Sequence, residues 1–271
     1  MTDDSVTVAE GTTTRGGADE DSATSVGTAT QLVVSEIFGL TIQGEGPSAG
    51  HLAVFLRLGR CNLHCTWCDT SYTWDWKGLN GTKFDPAQEL HRISVTDAAD
   101  ALITHGFGAH RVLVVSGGEP LLQQRRLVEL LRYLNWRHEL KPFSVEIETA
   151  GTIMPSVELT NLVNWWNVSP KLEHSGNTKK ERYHPEVLGH FADAYNSTFK
   201  FVIHDSADLS EVEDMVRGLV IPRHKVWLMP EGVSEDIVWA RGKWLAPLAI
   251  EHGFNFSTRL HVLVWGNKRG V

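Results

Sequence analysis

Cysteine is scarce in this sequence of 271 residues, and its distribution is uneven. The chain has three cysteines, Cys61, Cys65 and Cys68, and all lie within the stretch "GRCNLHCTWCDTSYTW" at 59–74. Three thiols this close together cannot pair off into a disulfide framework. Three thiolates on one short loop can instead hold three corners of a metal centre and leave the fourth corner open.

Long apolar runs are also absent, although a hydrophobic fraction of 42% is enough for a substantial core. No run reaches the roughly 18 residues that a membrane span needs. The N-terminal segment lacks both the basic region and the apolar region of a secretory signal. Because thiols stay reduced in the cytoplasm, we expect a cytoplasmic protein.

The first 30 residues lack aromatic side chains and carry six acidic residues against one basic residue, so they contribute −5 of the formal net charge of −8. Such a segment cannot bury enough apolar surface to offset its ordering entropy. We therefore predict a disordered acidic extension at 1–31 and a folded domain at 32–271. The rest of the chain carries −8 − (−5) = −3, and nothing in it indicates a nucleic-acid surface.

Strand-like and helix-like patterns alternate along the folded part. Apolar and β-branched runs predict strands at 53–58, 111–117, 143–149, 165–170, 198–203, 225–230 and 259–266. Apolar residues at three- and four-residue steps predict helices at 96–106, 121–140, 208–220 and 234–253. The first of these should begin at a cap on Thr96 and the last at Ser234. This alternation predicts an α/β fold with a parallel sheet, open or barrel-like.

Unusual polar segments follow five of the predicted strands. They are the cysteine loop, "SGGEP" at 116–120, "ETAGT" at 148–152, "SPK" at 169–171 and "MPEG" at 229–232. In a parallel barrel, chemistry is carried by the carboxyl ends of the strands. We therefore expect these segments to form one site.

The cysteine loop admits more than one interpretation. Buried structural thiols are common, and a structural zinc with His64 or His51 as fourth ligand is possible. Zinc sites, however, usually gather two well-separated ligand pairs, and the chain has no second pair. A cubane iron–sulfur cluster with three cysteine ligands is favoured, because it leaves one iron free to bind a substrate or cofactor.

The C-x3-C-x2-C loop, with Trp67 before its last cysteine, resembles the radical S-adenosylmethionine (SAM) superfamily, as does "SGGEP". This resemblance implies a partial, open parallel β/α barrel that binds a [4Fe-4S] cluster. SAM would chelate the free iron and, on accepting an electron, release a 5′-deoxyadenosyl radical. Glu119 would face the ammonium group of SAM, and the glycine pair would let the ligand approach the backbone. Activases that place a glycyl radical on a partner protein share the cluster motif, but they would need a protein-docking groove.

The stretch "SEIFGLTIQGEGPSAGHLAVFLRLGRC" narrows the resemblance further. With "CDT", "SGGEPLLQ", "ETAGT", "SPK" and "HVLVWGNKRGV", it resembles the 7-carboxy-7-deazaguanine synthase family over about 33–271. That family rearranges 6-carboxy-5,6,7,8-tetrahydropterin into 7-carboxy-7-deazaguanine with loss of ammonia, using SAM, a [4Fe-4S] cluster and Mg²⁺, on the route to queuosine and other deazapurines. The resemblance also implies a homodimer and an electron donor such as flavodoxin or ferredoxin, with no nucleic-acid or membrane partner.

Several residues fit this chemistry on physical grounds. Gln43 offers an amide to the pterin edge, and the Glu45 carboxylate can accept two parallel hydrogen bonds from it. Arg57 lies in an apolar strand, where a buried guanidinium needs an anion; we expect the substrate carboxylate, with an internal ion pair as the alternative. Glu148 and His261 should point into the pocket from the third and last strands and handle protons, since loss of ammonia needs an acid.

Other roles rest on the resemblance alone. It implies that Thr70 binds Mg²⁺. It also implies that the terminal carboxylate of Val271 contacts the substrate, and that Ile42, Gly44 and Ser116 contact the substrate as well. The family usually has Gln-Pro in the segment that aligns with 229–232, where this sequence has Met229-Pro230-Glu231-Gly232. The implied SAM contacts are Trp67, Cys68, Asp69, Gly118, Glu119, Ser169, Pro170, Lys171, Met229, Pro230, Glu231 and Gly232.

Overall fold

Nine strands form one sheet in the computed structural model, which describes residues 31–271. The prediction for the acidic extension lies outside the described residues, apart from Gln31, where the first strand begins. The strands are β1 (Gln31–Ile42), β2 (Leu52–Leu58), β3 (His91–Ser94), β4 (Val112–Gly117), β5 (Ser144–Thr149), β6 (Trp165–Val168), β7 (Ser197–Ile203), β8 (Val226–Pro230) and β9 (Asn255–Phe256).

The strand order is β3-β1-β2-β4-β5-β6-β7-β8-β9. All neighbours from β2 to β9 pair in parallel, whereas β1 pairs antiparallel with both β2 and β3. The two ends of the sheet do not pair with each other. The prediction of an α/β fold with an open, mostly parallel sheet is therefore confirmed.

Helices follow most of the parallel strands and cover one face of the sheet. They are α1 (Pro86–Glu89), α2 (Val95–Thr104), α3 (Gln124–Trp136), α4 (Val157–Thr160), α5 (Lys179–Arg182), α6 (Pro185–Asp193), α7 (Asp208–Gly218), α8 (Glu235–Glu251) and α9 (Leu260–Trp265). Among residues 31–271, none of these helices is long and apolar enough to cross a membrane.

Alternation along β5 separates an apolar face from a polar one. Val145 and Ile147 belong to the main hydrophobic core, whereas Glu146 and Glu148 lie on the opposite face. Glu146 is buried there and Glu148 lines a cavity. This face of the sheet is therefore polar at β5, whereas at β1, β2 and β4 it carries a second apolar cluster of Phe38, Ala53, Phe55 and Val114.

The predicted strand at 259–266 is wrong, because this segment forms α9. Its alternating apolar residues suit a strand, but Val264 and Trp265 are 54% and 37% exposed, so no second layer covers them. The sheet ends at β9, and the backbone N–H of Leu260 donates instead to the carbonyl of Gly44 at 2.8 Å. An apolar run this short fits either structure.

The other six predicted strands are confirmed within two residues at each end, while β1, β3, β9, α1, α4, α5 and α6 were not predicted. The predicted cap at Thr96 is also wrong. The side chain of Ser94 accepts from the backbone N–H of Asp97 at 3.0 Å, so α2 begins one residue earlier. The cap of α8 lies at Ser234 as predicted.

Candidate active site

A cavity of about 460 Å³ lies at the carboxyl ends of the parallel strands. The cysteine loop and the ends of β4, β5, β7 and β8 all line it, as expected for chemistry carried by strand ends. Of the predicted site residues, only Glu119, Pro170 and Pro230 do not line it. The predicted residues that do are Ile42, Gln43, Gly44, Glu45, Arg57, Cys61, Cys65, Trp67, Cys68, Asp69, Thr70, Ser116, Gly118, Glu148, Ser169, Lys171, Met229, Glu231, Gly232, His261 and Val271.

The three thiols are free and share this cavity, with Cys65 the most buried. Each sulfur is within reach of an N–H donor. The donors are the backbone of Leu63 to Cys61 at 3.4 Å, Asn177 Nδ2 to Cys65 at 3.2 Å and Trp74 Nε1 to Cys68 at 3.3 Å. Burial raises the pKa of all three thiols, that of Cys61 to about 12. Each sulfur thus has a donor that would stabilise a thiolate, the form in which cysteine binds iron.

The donor arrangement argues against a single bound ion. Within residues 31–271, no group of three or more histidine, cysteine, aspartate or glutamate side chains is positioned to hold one metal ion. The zinc interpretation with His64 or His51 therefore finds no support.

The glycine pair of "SGGEP" makes room for the cysteine loop. A Cβ at Gly118 would lie 1.9 Å from the carbonyl oxygen of Arg60, and one at Gly117 would lie 2.1 Å from that of Leu58. The backbone N–H of Gly118 donates to Leu58 at 3.0 Å. We predicted that these glycines admit the ligand; the structure shows that they also admit the backbone that carries the first cysteine.

Glu119 does not line the cavity in this structure, and its role at the SAM ammonium stays a prediction. Its side chain is fully buried, and burial raises its pKa. Its carboxylate accepts from the N–H groups of Leu121 and Ala150 at 3.0 and 2.9 Å and from the Thr149 hydroxyl at 2.9 Å. Glu119 therefore ties the end of β4 to the end of β5.

A cluster of four charged residues, here called the charged wall, forms one side of the cavity: Glu45, Asp69, Lys200 and Arg259. Lys200 contacts one oxygen of Glu45, and Arg259 Nε donates to the other at 3.0 Å. Arg259 also contacts Asp69 and donates to the carbonyl of Gly232 at 2.6 Å. Burial alone would raise the pKa of Glu45, but Lys200 and Arg259 outweigh burial and hold that pKa well below its usual value.

Sequence analysis missed Lys200 and Arg259. The sequence did contain an indication for Lys200. This lysine lies in the apolar run "TFKFVI", and a lysine in a strand that is buried on both faces needs an anion beside it. All seven residues of β7 are indeed buried. Arg259 carried no such signal, since it lies at the start of the segment that was taken for a strand.

Arg57 has the internal ion pair that was considered as the alternative. Its Nε donates to Glu36 at 2.6 Å, and Glu36 also accepts from Tyr72 and Arg269, both at 2.9 Å. Within the described residues, no hydrogen bond is made by the two terminal nitrogens of Arg57, whose side chain lines the cavity. The ion pair therefore fixes the guanidinium and leaves its outer edge available to a ligand.

The predicted role of the Gln43 amide is not supported by its contacts. Gln43 is 2% exposed, and its Nε2 donates to Glu146 at 2.8 Å and to Glu148 at 3.3 Å. Its Oε1 accepts from the backbone N–H groups of Gly44 and Glu45 at 2.7 and 3.3 Å. The amide is therefore fully used within the protein, and only the neighbouring backbone and Glu45 are left to contact a ligand.

Four hydrogen-bonded polar residues at the base of the cavity are here called the polar floor: Gln43, Ser48, Glu146 and Asn167. Glu146, which sequence analysis missed, is 3% exposed and forms no salt bridge within residues 31–271. Burial, reinforced by the nearby charge of Glu148, raises its pKa to about 7 although Ser48 donates to it.

His261 and Glu148 line the cavity as predicted, although His261 projects from α9 and not from a strand. A Cβ on Gly44 would lie 2.1 Å from Nδ1 of His261, so only glycine fits there. His261 Nε2 lies 3.9 Å from Glu45. Burial lowers the pKa of His261 although Glu45 opposes it, so the imidazole is neutral near pH 7.

Two further predicted contacts lie on the cavity surface. The hydroxyl of Ser116 is buried and has no hydrogen-bonding partner within the described residues, which leaves it available to a ligand. Residues 266–271, including Val271, line the opposite side. Arg269 holds this segment in place, because its guanidinium lies 3.8 Å from the centre of the Tyr72 ring and donates to Glu36 and Glu89.

Comparison with known proteins shows the family of the chain. Residues 56–165 match the radical SAM superfamily. The 7-carboxy-7-deazaguanine synthase of Pyrobaculum aerophilum is 37% identical over 88% of this chain and 96% of its own, and that of Rhodopirellula baltica is 32% identical over 89% of both. The crystal structure of QueE from Escherichia coli shares the fold, with a TM-score of 0.63 and 23% identity over 85% of this chain and 95% of its own. On this identity and coverage, the chain belongs to the 7-carboxy-7-deazaguanine synthase family of radical SAM proteins.

Proposed function

We propose that this protein converts 6-carboxy-5,6,7,8-tetrahydropterin into 7-carboxy-7-deazaguanine with loss of ammonia, on a route to deazapurines such as queuosine. The observation that carries the proposal is the convergence of three thiols, the 42–45 segment and Arg57 on one cavity. Relatives that bear the name of this activity match nearly the whole described domain and support it.

Membership of the radical SAM superfamily implies a [4Fe-4S] cluster and SAM. Cys61, Cys65 and Cys68 would hold three irons of the cluster, and SAM would occupy the fourth. When bound, the reduced cluster and SAM supply the radical that starts the rearrangement.

Residues beside the thiols are suited to hold SAM. Lys171 Nζ donates to Ser169 Oγ at 3.0 Å and lies 5.5 Å from the centre of the Trp67 ring. Trp67 Nε1 is buried without a partner within the described residues, so it can donate to a ligand. Gly118, Met229, Glu231 and Gly232 complete this part of the cavity.

The other side of the cavity is suited to the pterin. Lys200 and Arg259 keep the Glu45 carboxylate ionised, and each of its oxygens retains a second acceptor site for an N–H/NH₂ edge. The terminal nitrogens of Arg57 would bind the substrate carboxylate bidentately. Ser116 and the backbone of Ile42, Gly44 and Val271 would supply the remaining polar contacts.

Mg²⁺ binding and proton transfer fall to residues between these two sides. Thr70, whose hydroxyl lies 3.6 Å from Cys68 Sγ, is the proposed protein ligand of Mg²⁺, which would take its other oxygens from water and substrate. Glu148 lies 3.9 Å from Lys200 Nζ, and His261 is neutral, so either can exchange a proton with bound substrate.

Anaerobic turnover with the carboxytetrahydropterin, SAM and Mg²⁺ tests the proposal. Reconstituted protein should be brown, bind about four irons and form the deazaguanine chromophore. Cys65→Ala should lose the colour and the activity. Colourless protein that holds zinc, or brown protein that cleaves SAM without consuming the pterin, would refute the proposal.

The family resemblance also supports a flavodoxin or ferredoxin as reductant and a homodimeric assembly. Reduction of the cluster by either purified carrier, followed by the loss of its visible absorption, tests the first. Light scattering coupled to size-exclusion chromatography tests the second.

A further inference from the structure

A buried carboxyl group lies directly beneath the segment that we propose to bind the pterin. Glu146 shares a face of β5 with Glu148, two residues later, but it is 3% exposed and does not line the cavity. It therefore cannot touch a ligand there. Its contacts nevertheless reach two points of the loop at 43–51, Gln43 at its start and Ser48 further along.

We propose that Glu146 is the positioning residue for this loop, acting through Gln43 and Ser48 to fix the backbone at 44–45 against the bound pterin. The link to the pterin rests on the proposed function; the link to the loop rests on geometry alone. Oε1 of Glu146 accepts from Gln43 Nε2 at 2.8 Å, and Oε2 lies 2.5 Å from Ser48 Oγ. One carboxyl group thus holds two points of the loop.

Gln43 passes this constraint to the backbone of the proposed substrate site. Its Oε1 accepts from the N–H groups of Gly44 and Glu45, which leaves its Nε2 directed at Glu146. The amide cannot flip without losing these contacts, because a flip would set Nε2 against two donors. The positions of Gly44 and Glu45 therefore depend on the acceptor beneath them.

A second chain of hydrogen bonds fixes Glu146 itself. Trp165 Nε1 donates to the hydroxyl of Thr198 at 3.3 Å, and that hydroxyl donates to Asn167 Oδ1 at 2.8 Å. Asn167 Nδ2 is thereby directed at Oε1 of Glu146, which it contacts. β5, β6 and β7 thus fix the carboxyl group, as expected of support for a precisely placed binding site.

Other contacts hold the loop independently of Glu146, so its removal should loosen the loop and not unfold it. The backbone N–H of Gln43 donates to His51 at 2.9 Å and that of Gly50 to Gln43 at 2.7 Å. The N–H of Gly46 donates to Ser257 Oγ at 2.8 Å. A positioning role therefore predicts a local change.

Hydrogen exchange of the substrate-free, cluster-loaded full chain tests the positioning. In Glu146→Leu, amides of the 43–51 loop should exchange about tenfold faster, because a buried acceptor is lost. Glu146→Gln should restore wild-type exchange, since its Oε1 can accept from Gln43 and Asn167 while its Nε2 donates to Ser48. Lys225→Met is the matched control, because this buried lysine donates to the carbonyls of Ala192 and Ala194 at the end of α6, away from the loop. It should leave the loop unchanged.

Kinetics tests the link to the substrate. Glu146→Leu should raise the KM for the pterin about tenfold while the dissociation constant for SAM stays at the wild-type value, and Glu146→Gln should restore KM.

Unchanged loop exchange in Glu146→Leu, or equally fast exchange in Glu146→Gln, would overturn the proposal. Should Glu146→Leu fail to fold, Thr198→Val must show the same two changes to a smaller extent, and its failure to do so would overturn the proposal equally. If the wild type does not consume the pterin, the proposed function fails, whereas the exchange result still decides the positioning role.

Discussion

The charged wall and the polar floor of the cavity each enclose a glutamate, yet the pKa values of the two carboxyl groups are shifted in opposite directions. Glu45 in the wall contacts Lys200 and Arg259, and its pKa lies well below the usual value. Glu146 in the floor has only uncharged donors within hydrogen-bonding distance, and burial raises its pKa to about 7. Burial disfavours the charged form in both places, so the neighbours decide the outcome.

This difference suits two tasks. The wall can present a full negative charge to the N–H groups of a bound pterin, because two cations keep Glu45 ionised. The floor is uncharged only below the pKa of Glu146, about 7, and serves as a rigid support, because hydrogen bonds fix its orientation. The comparison predicts different responses when each region is altered.

The largest effect is expected from Arg259→Met, which removes the cation shared by Glu45 and Asp69. The Glu45 carboxylate, whose side chain is 13% exposed, then loses a partner, as does the more exposed Asp69. Breaking a buried pair in this way costs about 3–5 kcal/mol. Urea denaturation monitored by tryptophan fluorescence would measure the free energy of unfolding. A loss below about 1 kcal/mol would show that the wall does not depend on Arg259.

The next effect concerns the floor and depends on pH. The pKa of Glu146 is about 7 in the folded protein against a usual value of 4.5, so this group binds more protons folded than unfolded between these two values. Its contribution to stability is complete below pH 4.5 and is lost as pH rises to 7, by about 3 kcal/mol. Glu146→Gln removes this titration.

The stability of Glu146→Gln relative to wild type should therefore increase from pH 4.5 to 7 and then level off. Denaturation of both proteins across this range provides the measurement, and the difference between them cancels groups that titrate alike in both. A difference that does not change with pH would mean that Glu146 is ionised in the floor as Glu45 is in the wall.

Arg57→Lys tests whether a positive charge alone is sufficient to bind the pterin carboxylate in this cavity. The substitution keeps the positive charge but replaces a planar fork with a point charge. Loss of one charge-assisted hydrogen bond should weaken pterin binding by about 1.5–3 kcal/mol, a factor of about 10 to 150. Cluster content and SAM affinity should stay at wild-type values, and an equal loss of SAM affinity would instead assign Arg57 a structural role.

The smallest effect is expected from Arg217→Met, which breaks an exposed pair with Asp214 on α7. Exposed pairs contribute about 0.5 kcal/mol or less, so unfolding should scarcely change. This variant serves as the surface counterpart of Arg259→Met. Similar losses in the free energy of unfolding for Arg217→Met and Arg259→Met would show that the buried pair and the exposed pair contribute equally to stability.

Local patterns account for what was predicted correctly. The three cysteines lie within eight residues, and the six confirmed strands are short apolar runs whose type follows from composition. The glycine pair and the strand-end segments were also recognisable, because each belongs to one continuous motif. Gln43 lines the cavity, but its contact with Glu146 could not be predicted, since nothing in "IQGEG" shows that Glu146 lies below.

Long-range contacts account for what was missed. Lys200 lies 155 residues from Glu45 in the sequence, and Arg259 lies 214 residues from it. Asn167 and Glu146 meet only because β5 and β6 are neighbours in the sheet. α9 was mistaken for a strand because the exposure of Val264 and Trp265 depends on what covers them.

The sequence by itself determined the thiol loop, the alternation of strand and helix, and the motifs whose residues reach the cavity, because each depends on neighbours a few positions apart. Only the tertiary structure decided that the pKa of Glu45 is lowered and that of Glu146 raised. The pKa of a carboxyl group depends on the groups that folding brings around it, and those around Glu45 and Glu146 come from distant parts of the sequence.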